Sequence, residues 1–331
     1  MQRLEDLIQQ HPDTNNAIGA PGRDWMTYGD LKALTLSVRT SLRGAGIGAQ
    51  DRVAIVLPNG PEMAAAFVTV GQSATTAPLN PAYKEEEFTF YLEDLKARAI
   101  IVEAGYDGPA RAAASKLNMA IIELTATEPA GNFTLSSDVT GSAADTLPAA
   151  DDVALILHTS GTTSRPKIVP LLQSNVAASA QNVSASLALT SDDVCLNVMP
   201  LFHIHGLIAA VSGSLAAGAS ISCAPGFDAL KFYGWLEEVD PTWYTAVPTM
   251  HQAILARAPR NLEIIKNARL RFLRSSSSSL PGPVMTQLAD TFGAPVVEAY
   301  GMTEAAHQMC CNPIEPGRQK PGAVGLPAGP E

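Results

Sequence analysis

The feature that most constrains the fold of this chain is a regular alternation of short aliphatic runs with longer stretches of helical spacing. The aliphatic runs have the length of buried strands, and the stretches between them carry apolar residues at the spacing of amphipathic helices. The predicted strands are 53–57, 99–102 and 121–124 in the first half, and 153–157, 194–199, 220–223, 243–246, 270–273 and 296–298 in the second half. Because strands that alternate with helices pair in parallel, the pattern predicts an α/β protein with helices on the faces of its sheets.

A polar segment separates the two series of strands. Residues 125–150 are rich in Ala, Ser, Thr and Asp and have no apolar period, which is typical of a connector. We therefore predict two doubly wound parallel-sheet subdomains packed face to face, one formed by residues 1–150 and the other by residues 151–331. Subdomains that face each other would place their strand ends, and the loops that follow them, along one crevice.

The composition favours a small-molecule site over a nucleic-acid or membrane surface. The chain has 331 residues, a formal net charge of -10 and 22 Lys plus Arg without a basic run. No apolar stretch has the length of a membrane span, and residues 1–10, with Arg3, Glu5 and Asp6, contain no apolar segment of signal-peptide type. The four cysteines have neither disulfide-scaffold nor zinc-ligand spacing, which favours a reducing compartment such as the cytoplasm. A peroxisomal location stays open.

A hydroxyl-rich loop at 157–167 follows the predicted strand 153–157 and ends in Lys167. Residues 169–189 have helical spacing, so the loop is predicted to join a strand to a helix and to present backbone N–H groups, hydroxyls and a cation to phosphate. The loop is not a Walker A motif, because Pro166 replaces the second glycine and Ile168 replaces the metal-binding Ser or Thr. An ordinary polar connection is the alternative, since loops are rich in these residue types.

A second motif, at 298–304, places an aromatic ring, a glycine, a hydroxyl and a carboxylate close together after a predicted strand. Tyr300 could stack on a purine, Thr303 could bond a phosphate and Glu304 could hold a magnesium ion. The alternative is a turn in which Tyr300 packs on the core and Glu304 begins a helix.

Taken together, residues 159–167 and 300–304 resemble the motifs of the adenylate-forming superfamily, which includes acyl-CoA synthetases, peptide-synthetase adenylation domains and firefly luciferase. The resemblance covers essentially the whole chain. The Ser-Arg-Pro-Lys end of the first loop, Phe-His-Ile-His at 202–205, the serine-rich segment 274–280 and the Ala-His that follows Glu304 are most similar to oxalate-CoA ligases. The resemblance implies that a carboxylate attacks the α-phosphate of ATP, releasing pyrophosphate, and that the acyl-adenylate then reacts with coenzyme A.

The resemblance also implies roles for individual residues. Those that would cradle the β- and γ-phosphates are Thr159, Ser160, Gly161, Thr162, Thr163 and Lys167. Those that would form the rest of the nucleotide site are Ser276, Ser277, Ser278, Glu298, Ala299, Tyr300 and Gly301. Thr303 would meet the α-phosphate, Glu304 would bind Mg²⁺, and His203 would guard the pocket entrance.

The acyl pocket of such an enzyme can be argued from the polarity of its residues. Oxalate is a small dianion, and the carboxylate that does not react must be held by donors or positive charge. His205, Ser277 and His307 would supply donors, without the long apolar wall that a fatty acyl tail requires. A histidine that merely packs in the core is the alternative for each of the two histidines.

Two departures from the family pattern bear on activity. Ile168 stands where the family usually has Gly, so either the backbone there is ordinary or the loop is perturbed. The family's Thr-Gly-Asp segment and small C-terminal domain with its catalytic lysine would follow residue 331, so we expect this chain to bind ATP weakly and to turn over poorly. The alternatives are a ligase for another small or aromatic carboxylate, such as malonate or a hydroxycinnamate, and a non-catalytic nucleotide-binding protein.

Overall fold

Helices and strands alternate along the chain in a computed structural model that describes residues 2–159 and 166–329. The α-helices are α1 (Asp6–Gln9), α2 (Tyr28–Gly44), α3 (Pro61–Gly71), α4 (Glu85–Leu95), α5 (Pro109–Lys116), α6 (Gln173–Ser186), α7 (Gly213–Ala216), α8 (Phe232–Val239), α9 (Pro248–Leu255), α10 (Leu262–Asn267) and α11 (Gly282–Phe292). A π-helix, His205–Ser212, directly precedes α7, and short 3₁₀ turns lie at Ala258–Arg260 and Thr303–Ala305.

The strands form two sheets. They are β1 (Asn16–Ala20), β2 (Arg23–Thr27), β3 (Arg52–Val56), β4 (Thr75–Pro78), β5 (Ala99–Glu103), β6 (Ala120–Thr127), β7 (Asn132–Ser137), β8 (Val153–Thr159), β9 (Lys167–Leu172), β10 (Val194–Asn197), β11 (Ser220–Cys223), β12 (Trp243–Ala246), β13 (Phe272–Ser275), β14 (Val296–Met302), β15 (His307–Cys311) and β16 (Leu326–Pro327). The first sheet has the order β7-β6-β5-β3-β4-β8-β9, and the second has the order β16-β15-β14-β13-β12-β10-β11-β1-β2.

The central strands of both sheets are parallel and buried on both faces, as the aliphatic runs predict. In β3, Val53 and Ile55 face the core between the sheets, whereas Ala54 and Val56 face the outer helices. This alternation follows from the two-residue period of a strand. Antiparallel pairs occur at the edges, where β6 pairs with β7, β8 with β9, β14 with β15, and β1 with β2.

Helices between the two sheets join them into one core. Phe67 of α3, Val176 of α6 and Leu207 of the π-helix belong to the same buried cluster as residues from both sheets. Helices α4 and α5 cover the outer face of the first sheet, and α8, α9 and α11 cover the outer face of the second. This arrangement of α, β, α, β and α layers confirms the predicted fold class. Among the described residues, no helix combines the length and the hydrophobicity that crossing a bilayer requires.

Each sheet takes strands from both sides of residue 150. The hairpin β1–β2 extends the second sheet by parallel pairing of β1 with β11, and β8–β9 extends the first sheet by pairing of β8 with β4. The division of the chain at residue 150 therefore does not coincide with the division between the sheets. The prediction of a connector from residue 125 was wrong for its first part, because β6 runs to Thr127 and pairs with β7. A strand with one buried face needs few apolar residues, and β7 buries Phe133 alone.

The structure corrects the prediction for residues 169–172, which lie in a strand and not in a helix. Strand β9 alternates buried Val169 and Leu171 with exposed Pro170, and α6 begins only at Gln173. Proline is tolerated here because β9 is an edge strand, where a missing N–H costs no ladder bond. Along the chain the hydroxyl-rich loop is therefore followed by strand β9, and the N-terminus of α6 lies beyond that strand and not at the end of the loop.

Ile168 has an ordinary backbone conformation in this strand. It pairs with His158 across the β8–β9 ladder, and its φ angle is not positive. Its side chain is half-buried against the outer core of the first sheet. A β-branched residue suits such a position, and this resolves the alternative in favour of an unstrained backbone at residue 168.

Candidate active site

The candidate site lies where the parallel strands of the second sheet end. Strand β10 lies between β11 and β12, because the chain passes from β10 to β11 on one side and then from β11 to β12 on the other side of β10. Ligands bind at such a reversal of strand order, because the loops on the two sides diverge and open a crevice. The segment 200–204 follows β10 here and leads into the π-helix, while the serine run follows β13.

A fully buried guanidinium is at the centre of the site. Arg274, on β13, is 0% exposed. Its Nη1 donates to His205 Nε2 at 3.0 Å and to Thr245 Oγ1 at 3.3 Å. Its Nη2 donates to His307 Nε2 at 3.1 Å and to Gln308 Oε1 at 2.8 Å. Burial lowers the pKa of Arg274 to about 10, so the group keeps its charge at neutral pH without a carboxylate beside it.

Two buried histidines flank the guanidinium and are neutral. The rings of His205 and His307 are stacked with their centroids 5.2 Å apart. Burial, followed by the positive charge of Arg274, holds the pKa of both histidines well below 6.5. The third buried histidine, His251, donates from Nε2 to the carbonyl of Arg274 at 3.2 Å and fixes the backbone of β13.

The serine run is an ordered strand end, as the preceding aliphatic run predicts. Ser276 is buried and donates to the carbonyl of Ala299 at 2.9 Å, which ties the run to β14. Ser277 is exposed, has a φ of +72°, and its Oγ lies 2.9 Å from His205 Nδ1. Ser278 is also exposed. A serine in the left-handed region is strained, and such strain is concentrated at functional sites.

The second motif lies within β14, which extends to Met302, and not after the strand as predicted. Tyr300 is 49% exposed, which contradicts the alternative in which its ring packs on the core. Glycine is required at residue 301, because a Cβ there would lie 1.7 Å from the carbonyl oxygen of His307. Glu304 is exposed on the following 3₁₀ turn and Thr303 is half-buried.

Two residues that the resemblance assigns to the nucleotide site point into the protein. Glu298 is 3% exposed and Ala299 is 4% exposed. Glu298 Oε1 accepts from the N–H of Leu280 at 2.8 Å, so this carboxylate fixes the end of the serine run. The side chains of both residues are therefore buried in the protein and not exposed at the surface.

The two described ends of the first motif lie on the first sheet, in β8 and β9, and β9 contacts the 3₁₀ turn that carries Thr303 and Glu304. Thr159 and Lys167 pair across the end of the β8–β9 ladder, and Lys167 is exposed, with no hydrogen bond or ion pair from its ammonium group within the described residues. Ser160, Gly161, Thr162 and Thr163 lie outside the described residues.

A cavity of about 300 Å³ between the sheets is lined by Pro170, Leu171, Asn175, Ala178, Ser179, Asn182, Glu304, Ala305, Ala306 and Gln308. Glu304 is thereby brought beside β9.

A turn of the first sheet holds the loop that carries His203. Asn59, which follows β3, accepts from the N–H of Leu201 at 2.7 Å and donates to the carbonyl of Ala224 at 2.9 Å. Both bonds cross from the first sheet to the second. His203 is exposed on this loop, with its ring centroid 4.5 Å from that of Phe202.

Sequence reasoning missed four polar residues of the site: Asn59, Thr245, Arg274 as a charged group, and Gln308. A usable signal existed for one of them. Arg274 is a charge directly after the predicted buried strand 270–273, and a charge at such a place is buried only where it has a specific set of partners. The other three are uncharged residues of types found at any surface.

The comparisons with known proteins agree with this geometry. The chain is 42% identical to an oxalate–CoA ligase of Arabidopsis thaliana, over 99% of this chain and 65% of that protein. It is 37% identical to an oxalate–CoA ligase of Saccharomyces cerevisiae, over 95% of this chain and 63% of that protein. The crystal structure of apo MatB from Rhodopseudomonas palustris is 27% identical and superposes with a TM-score of 0.84, over 99% of this chain and 64% of that one.

The chain thus spans about two thirds or slightly less of the relatives it matches, namely 65% and 63% of the two ligases. The sequence pattern of AMP-binding enzymes matches residues 4–330. This confirms the resemblance to adenylate-forming enzymes that the two motifs indicate. Since the match extends over nearly the whole sequence, the chain belongs to the AMP-binding enzyme family.

Proposed function

We propose that this chain is the nucleotide- and acid-binding part of an AMP-forming ligase that adenylates oxalate and passes the oxalyl group to coenzyme A. The observation that carries the proposal is the exposed hydroxyl of Ser277, which is backed by His205 and the buried charge of Arg274. A wall of donors beside a positive charge suits a second carboxylate group. It does not suit the apolar ring of a hydroxycinnamate, which favours an apolar lining.

The nucleotide would lie between the two motifs. The hydroxyl of Thr159 and the free ammonium group of Lys167, with the residues of the loop between them, would hold the β- and γ-phosphates. The exposed ring of Tyr300 offers a face to adenine, and Thr303 is the donor for the α-phosphate. A carboxylate is a weak nucleophile towards a polyanion, so positioning and charge neutralisation are the main tasks of these groups.

Magnesium would arrive with the nucleotide. Within residues 2–159 and 166–329 no group of three or more His, Cys, Asp or Glu side chains could hold a metal ion. Mg²⁺ is commonly bound through one or two carboxylates together with substrate phosphates, and the exposed carboxylate of Glu304 fits that role. When bound, the ion would neutralise phosphate charge.

We also propose a reducing compartment, with the cytoplasm as the first choice. Cys195, Cys223 and Cys311 are buried free thiols and Cys310 is a partly exposed one. Free thiols persist where disulfides are kept reduced.

Calorimetric titration of the 331-residue chain tests the choice of acid. Oxalate, malonate and a hydroxycinnamate are each titrated in the presence of Mg²⁺ and a non-hydrolysable ATP analogue. We expect oxalate to bind with the highest affinity. Tighter binding of malonate would refute oxalate as the acid and would support a malonate ligase. Tighter binding of the hydroxycinnamate would refute the proposal that the acid pocket is polar.

A second titration tests the nucleotide site. Glu304→Gln is expected to remove most of the gain in ATP affinity that Mg²⁺ provides, on the order of tenfold, because the amide is a poor metal ligand. Glu263→Gln is the matched control, since Glu263 is also exposed but lies on α10. An unchanged Mg²⁺ dependence in Glu304→Gln would contradict the assignment.

A further inference from the structure

We propose that Arg274 is a positioning residue: it holds His205 and His307 each in one neutral tautomer and thereby makes Ser277 a hydrogen-bond donor to the carboxylate of the bound acid. The inference rests on the proposed function, because that carboxylate belongs to its substrate. Arg274 is fully buried and makes four hydrogen bonds to neutral groups, while its Nε has no partner among the described residues. No carboxylate of residues 2–159 or 166–329 forms an ion pair with the guanidinium.

The bonds of Arg274 decide which ring nitrogen carries the proton. A guanidinium can only donate, so Nε2 of His205 and Nε2 of His307 must both accept and must both be bare. A neutral imidazole has one proton, which then lies on Nδ1 in both rings. Thr245 supports the same state of His205, because its hydroxyl lies 2.6 Å from Nε2 and can donate to it.

The tautomer of His205 sets the direction of the next bond. Its Nδ1–H donates to Ser277 Oγ at 2.9 Å, so the serine oxygen is an acceptor in that bond and its own proton is available for another partner. Ser277 is exposed in the segment that follows β13, at the end of the sheet where the candidate site lies. A chain of donors therefore runs from a buried cation through His205 to Ser277, and each bond polarises the next.

The opposite tautomer of His205 would reverse the direction of its hydrogen bond with Ser277. With Nδ1 bare, His205 would accept the proton of Ser277, and the hydroxyl would present only lone pairs to the crevice. Lone pairs repel a carboxylate, so the same three residues would disfavour the ligand they now favour. Arg274 prevents this reversal because its Nη1 cannot accept a proton from Nε2.

His251 provides an internal standard for the measurement. Its Nε2 lies 3.2 Å from the carbonyl of Arg274, which can only accept, so His251 carries its proton on Nε2. Its Nδ1 accepts from the hydroxyl of Tyr244 at 3.2 Å. His251 is thus in the opposite tautomer to His205, and its bond to Arg274 uses the backbone and survives a change of that side chain.

Nitrogen NMR of histidine-labelled protein tests the tautomers without any ligand. We expect protonated Nδ1 in His205 and His307 and protonated Nε2 in His251, with signals assigned by His205→Gln and His251→Gln. In Arg274→Met, His307 should lose its single tautomer and His205 should lose it in part, because Thr245 still reaches His205. Arg274→Lys keeps a positive charge but lacks the planar pair of Nη donors. It should therefore hold at most one of His205 and His307 in a single tautomer. An Nε2–H form of His205 in the wild-type chain would overturn the proposal.

Oxalate titration tests the consequence for binding. Ser277→Ala and Ser277→Gly both lack the hydroxyl, and glycine also relieves the positive φ, so both should weaken oxalate binding by about tenfold or more. Arg274→Lys should weaken oxalate binding as well. The double variant Arg274→Lys/Ser277→Ala should bind oxalate only slightly more weakly than Ser277→Ala, because both substitutions remove the same hydrogen bond from Ser277. Arg269→Gln is the control, an exposed arginine paired with Asp240.

The outcomes separate this inference from the proposed function. If the wild-type chain binds oxalate and Ser277→Ala binds it equally well, the donor role of Ser277 is refuted while the choice of oxalate stands. If the wild-type chain does not bind oxalate, the proposed function fails, and the NMR experiment still decides whether Arg274 sets the tautomers. Should Arg274→Met not fold, Arg274→Lys and the two variants of exposed Ser277 carry the test.

Discussion

Acid should destabilise this protein through His251. This histidine is 0% exposed, and burial lowers its pKa from 6.5 to about 4. Because the pKa is lower in the folded state, the unfolded chain binds the proton first as the pH falls below 6.5. The contribution of His251 to stability is therefore complete above pH 6.5 and is lost as the pH falls from 6.5 towards 4.

The magnitude follows from the two pKa values. One pKa unit corresponds to about 1.4 kcal/mol, so a difference of roughly two and a half units corresponds to about 3 kcal/mol of unfolding free energy. That is a large fraction of the stability of an ordinary domain. Protonation would also break the bond from Tyr244 to His251 Nδ1, which ties His251 of α9 to β12.

His251→Gln isolates this effect from the other titrating groups. Glutamine has a donor and an acceptor and does not titrate, so the variant should be less stable than wild type at pH 7 and should lose less stability on acidification. Urea unfolding followed by tryptophan fluorescence gives the free energy of each protein between pH 7 and pH 4. We expect the difference between the two proteins to shrink by about 3 kcal/mol. A difference that stays constant over this range would refute the reasoning.

Three further predictions follow from single contacts. Gly301→Ala should cost about 3 kcal/mol or more in thermal or urea unfolding, because its Cβ would overlap the carbonyl of His307, while Gly234→Ala, where a Cβ meets no atom, should be tolerated. Lys167→Ala should lower ATP affinity by about tenfold in calorimetry and leave stability unchanged, since its ammonium is free and exposed, with Lys266→Ala as control. Asn59→Ala should cost about 1–3 kcal/mol in unfolding, because two bonds between the sheets are lost.

The sequence predicts an element well where local signals agree. The predicted strand 243–246 coincides with β12, and the predicted helix 28–43 matches α2 to within one residue. At the start of α2, Thr27 accepts from the N–H of Asp30, and the Asp30 carboxylate accepts from the N–H of Thr27. This capping box fixes the helix start through residues only three positions apart.

Elements that depend on distant partners were missed. Strand β1 is stabilised by pairing with β11, so that Ile18 is opposite Ile221 about two hundred residues later. Residues 169–172 were predicted as helix because small residues with helical spacing follow them, yet pairing with β8 decides their conformation. Propensity is a weak guide wherever a sheet edge offers a partner.

Some residues of the candidate site were also predicted from the sequence, and others were not. The structure brings His205, Ser277 and His307 together, and the resemblance names all three. The charge that organises them was not foreseen, because the bonds of Arg274 join the π-helix, β12, β13 and β15 and no segment of the sequence contains them all. Polar networks of this kind become visible only in three dimensions.

The position of the phosphate loop changes how its charge must be balanced. Had a helix followed the loop, backbone N–H groups and the helix dipole would have stabilised part of the phosphate charge. Strand β9 follows it, and the backbone groups of that strand pair with β8. We therefore expect the Lys167 side chain and a bound metal ion to supply the positive charge that such a helix would have supplied. Within the described residues, the Lys167 ammonium on the first sheet has no hydrogen bond or ion pair, and on the second sheet the buried Arg274 would lie behind the bound acid. The two cations thus lie on different sheets, and the reacting carboxylate and phosphate would meet between them.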